Sequence, residues 1–432
     1  MKEVGIGLLG FGTVGTGLVD VLQANGGLIA ERAGVRLVLK KIADIEITRD
    51  RGVTVDPAIL TTDSCAVVND PAVEVVVELI GGTGVAKDLI LQSLLAKKPV
   101  VTANKALLAE YGSEILRVAR ENATDVCFEA SVGGGIPIVR ALTKGLVGNR
   151  IESIHGILNG TCNYILTRMS KEGLSFDRIL NDAQEAGYAE ADPALDIDGY
   201  DSAHKAAILA SLAYGCHVPM SAIHVEGIRG LASEEIEYAE DLGYRMKLLA
   251  TIKNHGGEIN IHVRPTLIPE DHMLASVSGA LNAILVRGDV VGETLYYGMG
   301  AGSRPTSSAV VSDIVDVARK IAFGIDDCAV PIVQLGDVDG RFCDAGKVRT
   351  RCYLRVSLLD RPGSMGRICS VLGSNGISMA SVLQKEVCAG EHVPVIIVTH
   401  YATEEEFQHA VDEIDSMDIV RGRTVRLRIE DF

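Results

Sequence analysis

The sequence predicts an α/β protein of three domains: a parallel-sheet domain that holds a dinucleotide, an α+β domain, and a C-terminal ferredoxin-like βαββαβ domain. Three observations predict it. An apolar run at residues 4–9 enters Gly10-Phe11-Gly12-Thr13-Val14-Gly15 and continues into the helix-like TGLVDVLQAN. Valine-rich runs then alternate with helical stretches as far as residue 130. Residues 351–432 read strand, helix, strand, strand, helix, strand.

At 432 residues the chain is too long for one core, and length alone suggests about three domains. The expected division is 1–130, rejoined by a helix at 305–323, then 131–330, a linker at 331–350, and 351–432. A formal net charge of −16 argues against nucleic acid or an anionic membrane as a main partner. No apolar run reaches the roughly 18 to 20 residues that span a bilayer, and no cleavage site follows a charged leader. Nine cysteines, without a C-x-x-C pair, suit a reduced compartment better than a disulfide framework or a zinc site. The expected location is the cytoplasm.

The first glycine run reads as a Rossmann-type turn. Its glycines permit a tight turn, close approach to a pyrophosphate and close helix packing, while the helix N-terminus favours the phosphate charge. A second strand at 36–43 brings Ala43 and Asp44 to the position where an acid bonds the adenosine ribose and a base favours the 2′-phosphate. Lys40, Lys41, Arg49 and Arg51 crowd the same region, so either nicotinamide, NAD or NADP, fits, and Asp44 could equally cap the strand. A buried strand at 73–80 ends in Gly81-Gly82-Thr83. After a helix at 87–96, Pro99 to Val101 lead a short strand into Thr102-Ala103-Asn104-Lys105, which puts Lys105 where ligands of open parallel sheets lie. The plain alternative is a lysine that starts a helix. A strand at 125–130 opens onto Ser131-Val132-Gly133-Gly134-Gly135-Ile136-Pro137, whose free carbonyls could hold a cation with Glu129 or serve only as a hinge.

The second domain begins with a strand at 150–157 and the segment Leu158-Asn159-Gly160-Thr161-Cys162-Asn163-Tyr164. An amphipathic helix at 176–186 leads into AQEAGYAEADPALDIDGYDSAHK, residues 183–205, which gathers Glu185, Glu190, Asp192, Asp196, Asp198 and Asp201 before Lys205. Asp201 and Lys205 are four apart and share a helix face. A surface ion pair is the common meaning of that spacing. Ala203, Ala206, Ala207, Ala210 and Leu212 instead leave the ammonium little solvent, and a sequestered ammonium among acids points to proton transfer. A polar strand at 259–265, the run 280–289 and the glycine loop Gly298-Met299-Gly300-Ala301-Gly302-Ser303 precede the helix that ends near Phe323. In the last domain, strands are expected at 351–359, 378–385, 393–399 and 424–429, with helices at 364–372 and 403–417.

These residues resemble those of the homoserine dehydrogenase family. The spacing A-x-x-x-G, then D-P-x-x-D-x-x-G-x-D-x-x-x-K, is similar to its signature. GILNGTCNYIL, Thr102 to Lys105 and GAGSRPTSSAVVSD resemble its other motifs, and residues 351–432 resemble an ACT domain. The likeness covers essentially the whole chain. It implies NAD(P)H-dependent interconversion of L-aspartate 4-semialdehyde and L-homoserine, with 131–330 as the substrate-binding and oligomerisation domain. By the same likeness Lys205 is the proton donor, with Lys105 beside the same oxygen and the nicotinamide. Asp201, Asp196, Glu190, Gly187 and Thr161 would hold substrate. Gly10, Phe11, Gly12, Thr13, Val14, Gly15, Gly81, Thr102, Gly187, Glu190 and Gly302 would contact the cofactor. The resemblance further implies a monovalent cation, Na+ or K+, at Glu129, Val132, Gly134 and Ile136. It also implies a homodimer or homotetramer, and L-threonine as effector near Asp360, Gly363, Asn375 and Gly376.

Two other readings compete. A semialdehyde dehydrogenase would need an activated thiolate, with Cys162 and then Cys127 as candidates, yet neither has a nearby His. An amino-acid sensor without turnover would leave the acids around Lys205 unused.

Overall fold

The computed structural model describes residues 1–325, 340–384 and 391–432. Six parallel strands form the first sheet: β1 (Lys2–Leu9), β2 (Val35–Ala43), β3 (Leu60–Thr61), β4 (Val75–Glu78), β5 (Val100–Thr102) and β6 (Val126–Cys127). Their order is β3-β2-β1-β4-β5-β6, so the strand order reverses between β1 and β4. The crevice at such a reversal is where open α/β sheets bind ligands. Val4, Ile6 and Leu8 on one face of β1 and Leu9 on the other, with Val75 and Val77 on one face of β4 and Val76 on the other, are fully buried, as a sheet covered on both faces requires. The strand expected at 125–130 is only Val126–Cys127. The chain turns away through Glu129–Ser131 because the Glu129 carboxylate, buried on leaving the sheet, takes the N–H groups of Val139 and Arg140, each at 2.9 Å.

Helix Ser303–Phe323 returns to this sheet and lies against helix Thr13–Ala33. Val310, Ile314 and Val317 join the core built by Val4, Ile6 and Leu18. Gly17 permits the approach, since a Cβ there would stand 2.3 Å from the Ser303 Oγ.

The second sheet is built by strands that follow residue 150. Strands Gly292–Met299, Leu281–Gly288, Ile151–Ile157, Tyr244–His255 and Glu258–Pro269 pair in that order, antiparallel throughout. The C-terminal βαββαβ unit shares this sheet. Strand Val425–Ile429 pairs in parallel with Glu258–Pro269, Thr266 opposite Arg428 and Leu267 opposite Ile429. The sheet then continues through Arg349–Leu359, His392–Thr399 and Met379–Gln384. Helices Ser364–Ser374 and Glu404–Asp415 complete the βαββαβ order, and their apolar faces build a core with Val356, Ile397 and Phe407. Of the expected linker, 331–339 lies outside the described residues, as does Lys385 at the end of one expected strand. The described part is not a free tether, because Arg341 O accepts from Ile259 N and Cys343 N donates to Ile259 O.

Ionic contacts reinforce the join. Buried Glu235, on helix Ser233–Asp241, accepts from the Tyr353 hydroxyl at 2.9 Å and pairs with Arg355. Lys253 pairs with buried Glu430. Phe432 stacks flat on His272, with ring centroids 3.5 Å apart.

Candidate active site

Lys205 lies on helix Tyr200–Tyr214, whose Ala203, Ala206, Ala207, Leu209 and Ala210 are buried and leave the lysine 7% exposed. Its Nζ donates to Asp201 Oδ2 and to Leu158 O, both at 2.7 Å. The other Asp201 oxygen, Oδ1, is 2.6 Å from the Nζ of Lys105, which starts helix Lys105–Glu121 at the end of β5 and keeps part of its side chain in solvent. One buried carboxylate therefore bridges two ammonium groups. Burial works against the Asp201 charge, but Lys205 and Lys105 outweigh it and hold the carboxyl well below its ordinary range. The lysines divide. Burial, with Lys105 nearby, lowers the Lys205 pKa despite Asp201. Burial also opposes the charge of Lys105, yet Asp201, Asp196 and Glu190 outweigh it and raise its pKa. Titratable neighbours pushed apart in this way are the signature of an acid–base pair with separate roles. Lys205 has three N–H groups and spends two, so one remains for a substrate oxygen.

The supports of this pair are residues that sequence reasoning quoted without assigning, or missed. Asn159 caps helix Gly160–Glu172 by accepting from Cys162 N, and its amide donates to Asp196 at 2.7 Å and Asp201 at 2.9 Å. Asn282 donates to Leu158 O, the same carbonyl that accepts from Lys205. On the Rossmann side, fully buried Glu78 accepts from the backbone N–H groups of Ile80 and Gly81 and from the Thr102 hydroxyl at 2.6 Å. Thr102 Oγ1 accepts from Asn104 N, and Asn104 caps the helix that begins at Lys105. The signal for Glu78 was available: an acid near the end of the apolar run VEVVVELI, at the mouth of a buried strand.

The acidic stretch does not converge as a whole. Asp201 touches both lysines and Asp196 reaches them through Asn159. Glu190 lies in the loop that carries Gly187 (φ +75°), and Thr161 Oγ1 ties that loop down by donating to Tyr188 O at 2.9 Å. Asp198, however, faces Arg229 in a two-pronged exposed pair, Asp192 caps Ala194, and Glu185 ends a helix in solvent. The stretch bends at Pro193 and at Gly199 (φ +88°), so its acids point to different sides. Cys162 and Cys127 are poor nucleophiles here: burial, then neighbouring aspartates, push both thiols well above their ordinary pKa.

A cavity of ≈ 830 Å³ opens at the strand reversal, lined by Gly10, Phe11, Gly12, Thr13, Ala43, Asp44, Arg49, Arg51 and Ser303, among others. The three glycines differ in what they permit. Gly10 has φ +94°, and a Cβ there would strike the Leu79 carbonyl carbon at 2.6 Å; a Cβ on Gly15 would stand 2.2 Å from Gly10 O; a Cβ on Gly12 would meet nothing within 4 Å. Gly12 therefore leaves its space to a ligand. Val14 O accepts from the Ser307 hydroxyl and Thr13 O from Ser303, so a second helix N-terminus, beginning after Gly302, stands beside the first. Asp44 accepts from Phe11 N at 2.6 Å and pairs with Arg51, whose guanidinium lies 4.7 Å above the Phe11 ring.

The glycine loop after β6 folds against the loop before helix Ser303–Phe323. Gly135 N donates to Met299 O, and a Cβ on Gly134 would meet the Gly300 carbonyl at 2.6 Å. The Glu129 carboxylate is taken up by N–H groups, and the Ile136 carbonyl accepts from Ile138 N at 2.8 Å. Among the described residues no group of three or more His, Cys, Asp or Glu could hold a metal. In the C-terminal domain, Asp360 and Gly363 precede helix Ser364–Ser374, whereas Asn375 and Gly376 follow it. At 1.5 Å per residue those ends are roughly 16 Å apart, so the four residues cannot meet one small ligand within a subunit.

Comparison with known proteins adds the following. Residues 10–129 match the family model described as homoserine dehydrogenase, NAD binding domain, residues 137–315 the homoserine dehydrogenase model, and residues 353–417 the ACT domain model. The homoserine dehydrogenase of Neisseria gonorrhoeae is 43% identical over 100% of this chain and 99% of its own, and that of Bacillus subtilis 38% over the same shares. The crystal structure of a homoserine dehydrogenase from Thiobacillus denitrificans superposes with a TM-score of 0.94 at 44% identity, covering 100% of this chain and 99% of that one. A hyperthermophilic archaeal homoserine dehydrogenase in complex with NADPH gives a TM-score of 0.63 at 27% identity over 74% of this chain and 98% of that one.

Proposed function

Because the chain belongs to the homoserine dehydrogenase family, an NAD(P)-dependent oxidoreductase with an ACT domain, we propose that Lys205 carries the proton in its reaction. The residues lining the ≈ 830 Å³ cavity would hold a reduced nicotinamide, whose chemistry when bound would be supply of a hydride to the aldehyde carbon of L-aspartate 4-semialdehyde. Lys205 gives its free N–H to the oxygen that becomes the hydroxyl of L-homoserine, and takes the proton back in reverse. Asp201 keeps the two ammonium groups paired, and Lys105 steadies the charge that builds on the same oxygen. Asp196 and Glu190 meet the substrate ammonium, and Thr161 and Gly187 shape the loop over it. The observation that carries the reading is the buried Lys205, one N–H unspent, beside a carboxylate shared with Lys105. It is tested by Lys205→Met, for which turnover should fall by about 10² to 10⁴ while NADPH affinity stays unchanged. Near-normal turnover in that variant overturns the assignment.

The cofactor cavity supports use of both nicotinamides. Asp44 suits a ribose 2′-hydroxyl, while Arg51 and Arg49 suit a 2′-phosphate. Gly10, Phe11, Gly12, Thr13, Val14 and Gly15 would hold the pyrophosphate, and Ala43, Gly81, Thr102 and Gly302 would contact the rest of the cofactor. A monovalent cation fits the carbonyls of Glu129, Val132, Gly134 and Ile136, where it would join the two domains through the interlocked glycine loops. In the ACT domain the Asp360 and Gly363 end is the better effector site for L-threonine, because the Asn375 amide already bonds Val371 O and lies near Glu413. A homo-oligomer and a cytoplasmic location complete the proposal. No helix among the described residues is long and apolar enough to cross a membrane.

A further inference from the structure

A cavity of ≈ 200 Å³ lies away from the catalytic lysines, between helix Gly160–Glu172, helix Ser233–Asp241, strand Tyr244–His255 and the turn that follows Met273–Ser276. Lys247 forms its inner wall. The residue is 5% exposed, and its Nζ donates to Val277 O and, at 3.4 Å, to Asn163 Oδ1. Among the described residues it has no carboxylate within ion-pair reach. A buried ammonium without a counter-charge is costly, and this one stands beside a hollow lined by the polar side chains of Thr167, Ser170, Ser276 and Ser278. Arg245 and Lys171 edge the same hollow. Arg245 leans on Glu240 at 3.5 Å and Glu270 at 3.6 Å, and Glu240 also accepts from the Ser170 hydroxyl at 2.5 Å.

We propose that this cavity binds a small monocarboxylate anion, with Lys247 as its buried counter-charge and Arg245 and Lys171 at its mouth. The charge count selects the class. Lys247, Arg245 and Lys171 line the hollow, and with Glu240 and Glu270, the two carboxylates paired with Arg245, these five groups carry a single net positive charge for the ligand to meet, which favours a monoanion over a dianion such as phosphate. The volume agrees, being that of about six or seven waters. Burial, with Arg245 and Lys171, pushes the Lys247 ammonium down to about 8, as expected of a cation missing its partner. The site also touches both control elements of the molecule: Asn163 lies one turn beyond the Asn159 cap that bonds Asp201, and Ile236 follows Glu235, which holds Tyr353 and Arg355 of the ACT domain.

The test is calorimetric titration of acetate into the full-length protein already saturated with NADPH and L-homoserine, so that the dinucleotide and substrate sites are filled. Saturable binding is expected, with inorganic phosphate at least about tenfold weaker, and loss of about tenfold or more in affinity in Lys247→Met. Acetate affinity that is unchanged in Lys247→Met, phosphate binding tighter than acetate, or no acetate binding up to about 50 mM each overturns the proposal. Should Lys247→Met fail to fold by circular dichroism, the rim double variant Arg245→Gln/Lys171→Gln decides: acetate binding several-fold weaker supports the site, and unchanged binding refutes it.

Discussion

A carboxylate between two ammonium groups does more than neutralise them. Removing its charge as Asp201→Asn leaves Lys205 facing Lys105 without compensation, so the Lys205 pKa, already lowered by burial and Lys105, falls further. Homoserine oxidation needs neutral Lys205 as base. Its rate should therefore rise with pH through that pKa, and in Asp201→Asn the rise should come at lower pH, alongside a reduced kcat. A kcat profile against pH checks this, and an unmoved profile would show that Asp201 only positions the amine. At the cofactor, Arg51→Ala should lower kcat/KM with NADPH by about tenfold or more and with NADH much less, because a charge-assisted bond to a 2′-phosphate is worth about 1.5 to 3 kcal/mol; steady-state kinetics with both nicotinamides reads the difference. The lysine and its acid could be read from the sequence because four-residue spacing on an alanine-rich helix leaves few alternatives. Asn159, Asn282 and Glu78 could not be given roles, because their partners lie 42, 124 and 24 positions away.

Among elements, the joints matter more than the strands. The strand and helix pattern was legible because apolar runs of fixed period fall between glycine turns, whereas alternation alone leaves the order β3-β2-β1-β4-β5-β6 open, and the two-residue β3 carries no periodic signal. Strand Tyr244–His255 was not singled out, since YRMKLLATIKNH places Lys247 and Lys253 where a strand alone would not bury them. Both are explained only by neighbours from other elements, the cavity in one case and Glu430 in the other. Helix Ser233–Asp241 is the hinge pin between domains through Glu235. Glu235→Ala would leave Tyr353 and Arg355 without their acceptor, and breaking such a buried pair costs about 3 to 5 kcal/mol. Urea denaturation should show that loss; a change under about 1 kcal/mol would mean that water replaces the carboxylate. Burial opposes the charge of Glu430, yet His155 and Lys253 hold it down at about 2. Its folded pKa lies below the unfolded value, so the stability it adds is present above about pH 4.3 and lost as pH falls toward 2. Glu430→Gln should lessen the acid sensitivity of the melting temperature over that window.

For the whole molecule, composition and motifs divided the chain into a dinucleotide part, a substrate part and a terminal module, but gave no view of how the last two meet. The pairing of Thr266 with Arg428 and Leu267 with Ile429 joins residues about 160 apart, and no local pattern encodes such a contact. Cutting the chain near Val348 would therefore do more than remove an effector site. It would bare strand Glu258–Pro269 along its edge and strand Lys253 without Glu430, and an exposed edge invites pairing with other copies. Such a truncation should run as aggregate by light scattering, where Asp360→Ala in the intact chain stays dispersed and gives the cleaner reading of threonine sensitivity. The same ladder bears on how these modules can be exchanged between relatives. A graft of a foreign sensor would need to bring a last strand able to lie beside Thr266 and Leu267, an aromatic hydroxyl and a base for Glu235, and an acid for Lys253; a graft lacking them would replace the foundation of the catalytic half together with its regulator.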